Sequence, residues 1–459
     1  MKKTLSILLI LITAVATVFA GGEKEAATSS TTDKTVVEIW TNDRHDAEYF
    51  NKKIAEFNAA NDEIEIKMTT IVDDYANMLV MAYTSGNAPD LFYMNARGNG
   101  FDLKTFVDAG MLEAYPTSLL EDPTFKLITD CDKHMVEGVN VQNGTVYGVF
   151  NVVRSGSRMI YNEDLVKAAG YDEFPTTLEG LVELADAVTK MGNGEYYGIA
   201  TCASSQFERW LEHCCTKSGL FIYDFENGRF DFDGYQEPIR IAQQLFKNGS
   251  MFPGSNTQGV DAMRAQFANG TFAIWGNASQ EAGVFTDQFP VEDFTWKTAE
   301  LPTLDGGVHG VVDSKPQKGL FMFSSSKNKD AAWEVVKYLN SEDFVKGYIE
   351  MGYALPLSAY MQETVDMEKI GRLADFAPVY YEGLFPSVPT VTLAGDDFEK
   401  TMWNCIVNGT DPDKCVADLN KRYNEALEKD IKLGKTKRVV IKNFDMLHPN
   451  DNPITYLDK

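Results

Sequence analysis

Four short polar clusters follow apolar runs in this 459-residue sequence: Asn42-Asp43-Arg44, Asn95 with Arg97, Ser155-Gly156, and Asn277. Their amides, carboxylate and guanidinium groups supply hydrogen-bond donors and acceptors rather than a nucleophile with its base. Trp210, Trp275, Trp403 and Tyr353 add flat apolar faces. Flat faces beside converging polar groups are what recognition of a hydroxylated ring requires. Each cluster also reads as a solvated turn, and each aromatic, at helical or strand spacing, also reads as core. Between Val152-Val153 and Met159, a bulge at Ser155-Gly156 would let backbone approach a ligand.

Covalent chemistry finds no template. G-x-S-x-G, H-E-x-x-H, Walker A and dinucleotide fingerprints are all missing from the sequence. Carboxylates are numerous enough that a glycosidase pair can be drawn, but its separation is not a sequence property. His213-Cys214-Cys215 matches no usual zinc spacing, so neither metal nor cofactor is expected. The other cysteines are Cys131, Cys202, Cys405 and Cys415. Cys405 and Cys415 bracket Asn408-Gly409 and Asp411-Pro412, a turn between helical stretches. A disulfide there would contribute ~3 kcal/mol in the chain-entropy model; buried free thiols are the alternative. Asn-x-Ser/Thr occurs at Asn143, Asn248, Asn269, Asn277 and Asn408, mostly as Asn-Gly, which turn chemistry explains.

The elements that must position these residues are legible. Val36–Trp40 reads as a strand, Phe50, Ile54 and Phe57 as a helix stripe, and Ile64–Met68 as a second strand. Strand, helix and strand within ~30 residues imply a parallel pair. Ala76–Ala82 reads as a helix. Asp90–Met94, between breakers, reads as a buried strand, with Asp102 capping the next helix. Asn143-Gly144 signals a hairpin. Strand character at Val152-Val153 breaks at Arg154–Ser157 and resumes at Met159–Tyr161. Further helices are expected at Leu181–Val188, Gln206–Leu220, Pro238–Lys247, Ala331–Leu339, around Trp403 and from Val416 to Leu427. Phe272–Trp275 and Gly319–Phe323 read as strands, and Arg438–Ile441 as a strand of a surface-packed tail. Polar groups at carboxyl ends of strands in an open α/β sheet are where ligands bind.

Composition bounds the class. The chain is 44% hydrophobic and 24% charged, which fits a globular protein. Lys2 and Lys3 precede the apolar run Leu5–Ile12, and Val18-Phe19-Ala20 ends it, as in a cleavable secretory signal. Position 21 is Gly rather than Cys, so no lipid anchor is expected. Without residues 1–20 the balance is 40 basic against 67 acidic groups. Such a field repels nucleic acid and anionic membranes.

A second layer of motifs carries a resemblance. These are Gly86 to Asp90 before the buried strand and Gly110-Met111-Leu112 after it, then Asn143-Gly144 with Tyr147-Gly148. Tyr161-Asn162 with Asp164-Leu165, Ala169-Gly170, Pro175-Thr176-Thr177 and Ser326-Lys327-Asn328 follow. From Val36 to about Ile431 the sequence resembles the extracellular solute-binding proteins of ABC sugar importers, the maltose-binding type. It departs at Asn277-Ala278, where many members place Trp after the strand's Gly.

The resemblance implies an α/β, two-lobed periplasmic-binding-protein fold (type II) with a ligand cleft at a hinge. It divides the chain into a signal peptide (1–20), a flexible leader (21–35), lobe 1 (36–152 and 298–342), lobe 2 (153–297 and 343–434) and a C-terminal tail (435–459). It also implies a monomeric periplasmic or extracellular protein that binds a mono- or oligosaccharide and delivers it to ABC permease subunits, without enzymatic activity. Two other readings stay open: a secreted carbohydrate-active enzyme, and a receptor for a polyol or phosphorylated solute, which Arg44, Arg97 and Arg154 would suit.

Overall fold

The computed structural model describes residues 34–96, 100–203 and 207–458. The expected signal and most of the leader, like Arg97, lie outside the described residues.

Two sheets organise the molecule. The first runs Ile64–Thr70, Thr35–Thr41, Leu91–Met94, Gly319–Phe323, Leu112–Glu113, with Gly148–Val149 also paired to Gly319–Phe323. Its first three strands are parallel and Gly319–Phe323 is antiparallel to Leu91–Met94. All four side chains of Leu91–Met94 are buried. Leu91 and Tyr93 enter one core and Phe92 and Met94 another, which is the period-2 alternation of a strand covered on both faces. Helix Ala47–Ala60 lays Phe50 and Ile54 on one of these faces. Asp102 caps helix Leu103–Asp108 by accepting from Thr105 N–H at 3.1 Å.

The second sheet runs Tyr197–Ala200, Phe272–Asn277, Arg158–Asn162, Trp296–Ala299. Its first pair is parallel and the rest antiparallel. Helix Leu178–Gly192 buries Leu181, Leu184 and Val188 behind it, with Thr177 as its N-cap. Gly198 is obligatory there, because a Cβ would stand 2.1 Å from the Ala185 carbonyl oxygen.

Three short strands pass between the two bodies: Lys315–Gln317, Val152–Arg154 and Leu355–Pro356, paired antiparallel around the middle one. Asn143 and Gly144 adopt φ values of 53° and 74° and turn the hairpin Val141–Gln142/Thr145–Val146.

Several expectations are corrected. The helix foreseen over Gln206–Leu220 is a π-helical turn, Glu208–Glu212, followed by α-helix His213–Lys217. The stretch after residue 342, assigned from sequence to the second lobe, starts with a helix on the first sheet's side. The Tyr49 hydroxyl donates to the Phe344 carbonyl at 2.6 Å, and Phe344 packs edge-on to Phe50. Cys405 and Cys415 are brought together as free thiols rather than a bridge. Burial, and then the Cys415 thiol, hold Cys405 above the usual thiol range. The tail does more than coat the surface. Arg438–Ile441 pairs with Ile454–Leu457, Ile441 is fully buried, and the Ile441 N–H donates to the Phe225 carbonyl at 2.9 Å.

Candidate functional site: the cleft between the sheets

The loops that end the strands of the two sheets face each other across the hinge strands. Between them lies a cavity of about 730 Å³, with His45 from the first sheet's side, Ser279, Gln280 and Asp287 from the second, and Arg154 and Gln317 from the hinge. Tyr353 and Arg372 close its side. A smaller cavity of about 260 Å³ lies between Ala96, which follows the strand Leu91–Met94, and Glu208, Glu212 and His213 of the second body. Phe221 and Phe385, stacked with centroids 4.1 Å apart, help line it, as do Lys315 and Glu399.

Lys318 supports the first sheet's side of the cleft. It is 3% exposed at its side chain and reaches Asp43 at 2.8 Å and Asp46 at 2.5 Å. Its ammonium also lies over the rings of Phe50, Tyr93 and Tyr348, 5.1 to 5.7 Å from their centroids. Burial pushes the Asp43 carboxyl up, but Lys318 outweighs it and the group sits below its ordinary range. On the second side, Arg264 grips Glu281 through two bonds of 3.0 and 2.7 Å, fixing the loop that carries Gln280. The Gln280 side-chain carbonyl is buried and has no donor among the described residues. In the smaller cavity, burial first and then Glu399 and Glu208 raise Glu212 well above the usual carboxyl range.

The residues singled out by sequence divide clearly. Tyr353 lines the larger cavity, its ring 6.0 Å from that of His45. Asn42 is half-buried and Arg44 exposed on the loop after the first strand, while Asp43 is spent on Lys318. Asn95 accepts from the Lys318 backbone N–H at 3.1 Å and so shapes a turn. Asn277 is buried, its side chain bonded to the Ala278 N–H, Gln280 and Glu281 at 2.9 to 3.2 Å. It braces the cleft loop from behind. Ser155 is 2% exposed, and a Cβ on Gly156 would meet Val312 Cγ1 at 2.9 Å. The close approach there is to protein, not to the cleft.

The tryptophans also take their core reading. Trp275 is 1% exposed beside Phe272 and Phe285, and Trp210 is 2% exposed. The Trp403 indole N–H donates to Asn256 at 3.0 Å within the second core. A Trp inside an apolar period has no free face to offer a ring. His45, Gln280, Gln317 and Arg372 escaped the sequence reading, because none belongs to an apolar pattern or a motif.

Comparison with known proteins follows this geometry. Residues 42–346 match the family model of the bacterial extracellular solute-binding proteins. A binding protein of Brucella abortus is 21% identical over 388 residues, 83% of this chain and 90% of that one. The maltotriose-binding protein of Pyrococcus abyssi is 24% identical over 333 residues, 71% of this chain and 68% of that one. The sugar-binding protein MalE of Xanthomonas citri superposes with a TM-score of 0.65 at 19% identity, covering 87% of this chain and 99% of its own. The cyclic alpha-maltosyl-1,6-maltose binding protein of Arthrobacter globiformis gives 0.65 at 19% identity, covering 86% and 100%. The family match spans more than half of the sequence and the superpositions share its two-lobed plan: this chain belongs to the bacterial extracellular solute-binding proteins.

Proposed function

We propose that the protein is the carbohydrate-binding component of an ABC importer, exported by its N-terminal segment and acting as a monomer outside the cytoplasmic membrane. One observation carries this reading. The interlobe cavity is lined from both sheets and brings Gln280, Gln317 and the Tyr353 ring to one border. A sugar hydroxyl can bond to either amide, and a ring face can lie on the last. Names of similar proteins support it, since they include binders of maltotriose and of a cyclic maltosyl-maltose. The lobes of this reading are 36–152 with 298–342, and 153–297 with 343–434 except for the helix Glu342–Glu350, which docks on the first through Phe344. Permease subunits would recognise the closed form.

Thermal melting against a sugar panel tests the reading. A sugar at 100 times its Kd adds ~2.7 kcal/mol to a folded state that alone binds it. The expected result is a clear rise in Tm with the sugar recovered unaltered. Appearance of product would instead favour an enzyme, and no shift with any saccharide would remove the carbohydrate.

A further inference from the structure

One wall of the larger cavity is a continuous helical segment, an α turn, Glu281–Gly283, running into a second π-helical turn, Val284–Gln288. It is held from behind. Glu281 is fully buried and gripped by Arg264 at 2.7 and 3.0 Å. Ala282, Val284 and Phe285 are buried too, with Phe285 packed 6.4 and 5.7 Å, centroid to centroid, from Trp275 and Trp296. The residues on either side of Gly283 are therefore locked. Of the five from Glu281 to Phe285, Gly283 alone is exposed.

The described chain gives no reason for a glycine there. Its φ and ψ, −70° and −35°, are ordinary right-handed helix, open to any residue. A Cβ built on it would meet no atom within 4 Å among the described residues. Glycine is also the poorest helix former after proline, because it has the most backbone freedom to lose. Two other glycines line the cavity with an empty Cβ position, Gly352 and Gly371, and they differ. Their φ values of 79° and 53° favour glycine by themselves. Gly283 weakens its own helix and leaves bare backbone on a cavity of about 730 Å³. What gains from a missing side chain at this point is a molecule that enters the cavity and comes close to the main chain.

We propose that a sugar ring of the ligand seats directly against the backbone of Gly283, so that this position determines which saccharides the cleft accepts. This rests on the carbohydrate reading above and adds a contact to it. The C–H groups on a ring face pack at van der Waals distance against bare backbone, and an interposed methyl forfeits that contact. The hydroxyls at the rim of the ring then turn to Gln280 and Gln317 on the same border.

Titration calorimetry on the full chain without its signal segment tests it. Wild type, Gly283→Ala and Gly283→Leu are compared against maltotriose, raffinose, xylotriose and glucose, with thermal melting of each protein free of ligand. Gly283→Ala is expected to melt at the wild-type temperature or above it, because alanine is the better helix residue. It is expected to bind the wild type's sugar about 10- to 200-fold more weakly, the scale of one misplaced methylene in a fitted site. Gly283→Leu should lose binding altogether with native circular dichroism. Saturating sugar should still compact Gly283→Ala in small-angle X-ray scattering as far as it compacts the wild type.

Unchanged affinity in Gly283→Ala would overturn the contact and leave the carbohydrate reading standing. A lowered melting temperature would show that the added methyl meets protein, and would overturn it as well. A variant that binds sugar but no longer closes would move the contact from the ligand to the opposite lobe, against the proposal. Binding of no sugar by the wild type would overturn the carbohydrate reading and this contact with it.

Discussion

Lys318 shows what a single side chain settles here. From sequence, Asp43 is a candidate ligand contact on a polar loop. In the structure it is one of two carboxylates held by an ammonium that lies 275 residues away in the chain. Asp46 is 0% exposed, so removing the cation leaves buried charge unpaired. Lys318→Met is expected to destabilise the fold by ~3–5 kcal/mol, read as a lower denaturant midpoint. A variant as stable as the wild type would mean that these carboxylates are solvated. His213 gives a pH dependence. Its ring is buried with Nδ1 2.9 Å from Ser157 Oγ, and burial lowers its pKa to about 4. The unfolded chain takes up that proton near pH 6.5, whereas the folded one refuses it until about pH 4. Stability from this group is therefore full above pH 6.5 and is lost as pH falls toward 4, by up to ~3 kcal/mol. His213→Gln should flatten the fall in unfolding free energy between pH 6.5 and 5. An unchanged slope would assign the loss to other groups.

At the scale of elements, the π-helical turn is the feature that patterns do not foretell. Apolar spacing around Trp210 and Leu211 fits any helix, and what widens this one is absent from its own sequence. Gly276, on the neighbouring strand, supplies the room: a Cβ there would stand 2.3 Å from Trp210 Cβ and 3.3 Å from the Arg209 carbonyl. π turns recur at functional sites, and this one carries Glu208 and Glu212 to the smaller cavity. Gly276→Ala is expected to cost ~1–3 kcal/mol by overpacking and to weaken ligand affinity as well. Lost stability with full affinity would separate the turn's packing from binding. The hairpin at Asn143-Gly144, the Asp102 cap and the strand Leu91–Met94 behave differently. Each is written in adjacent residues, and each forms where the sequence places it.

For the whole molecule, the three thin hinge strands are the pivot about which the two bodies can move. Saturating ligand is expected to reduce the radius of gyration in small-angle X-ray scattering. A radius unchanged on binding would describe a preformed site. The tail adds a link across the same gap. Tyr456 on its last strand donates to Glu137 near the first sheet at 3.1 Å, while Val439 on its first strand packs in the second core. Closure must therefore proceed with that contact kept or exchanged.

The sequence by itself determined the elements, the order in which strands and helices alternate, and the motifs of the family, because these rest on hydrophobic period, caps and turn residues a few positions apart. It also carried the departure at Asn277-Ala278. Only the tertiary structure decided which polar loop residues are spent on one another and which are left for a ligand. Lys318 with Asp43 and Arg264 with Glu281 depend on side chains brought together from separate segments. Electrostatic pairing acts through space, over a few ångströms, and adjacency along the chain does not encode it.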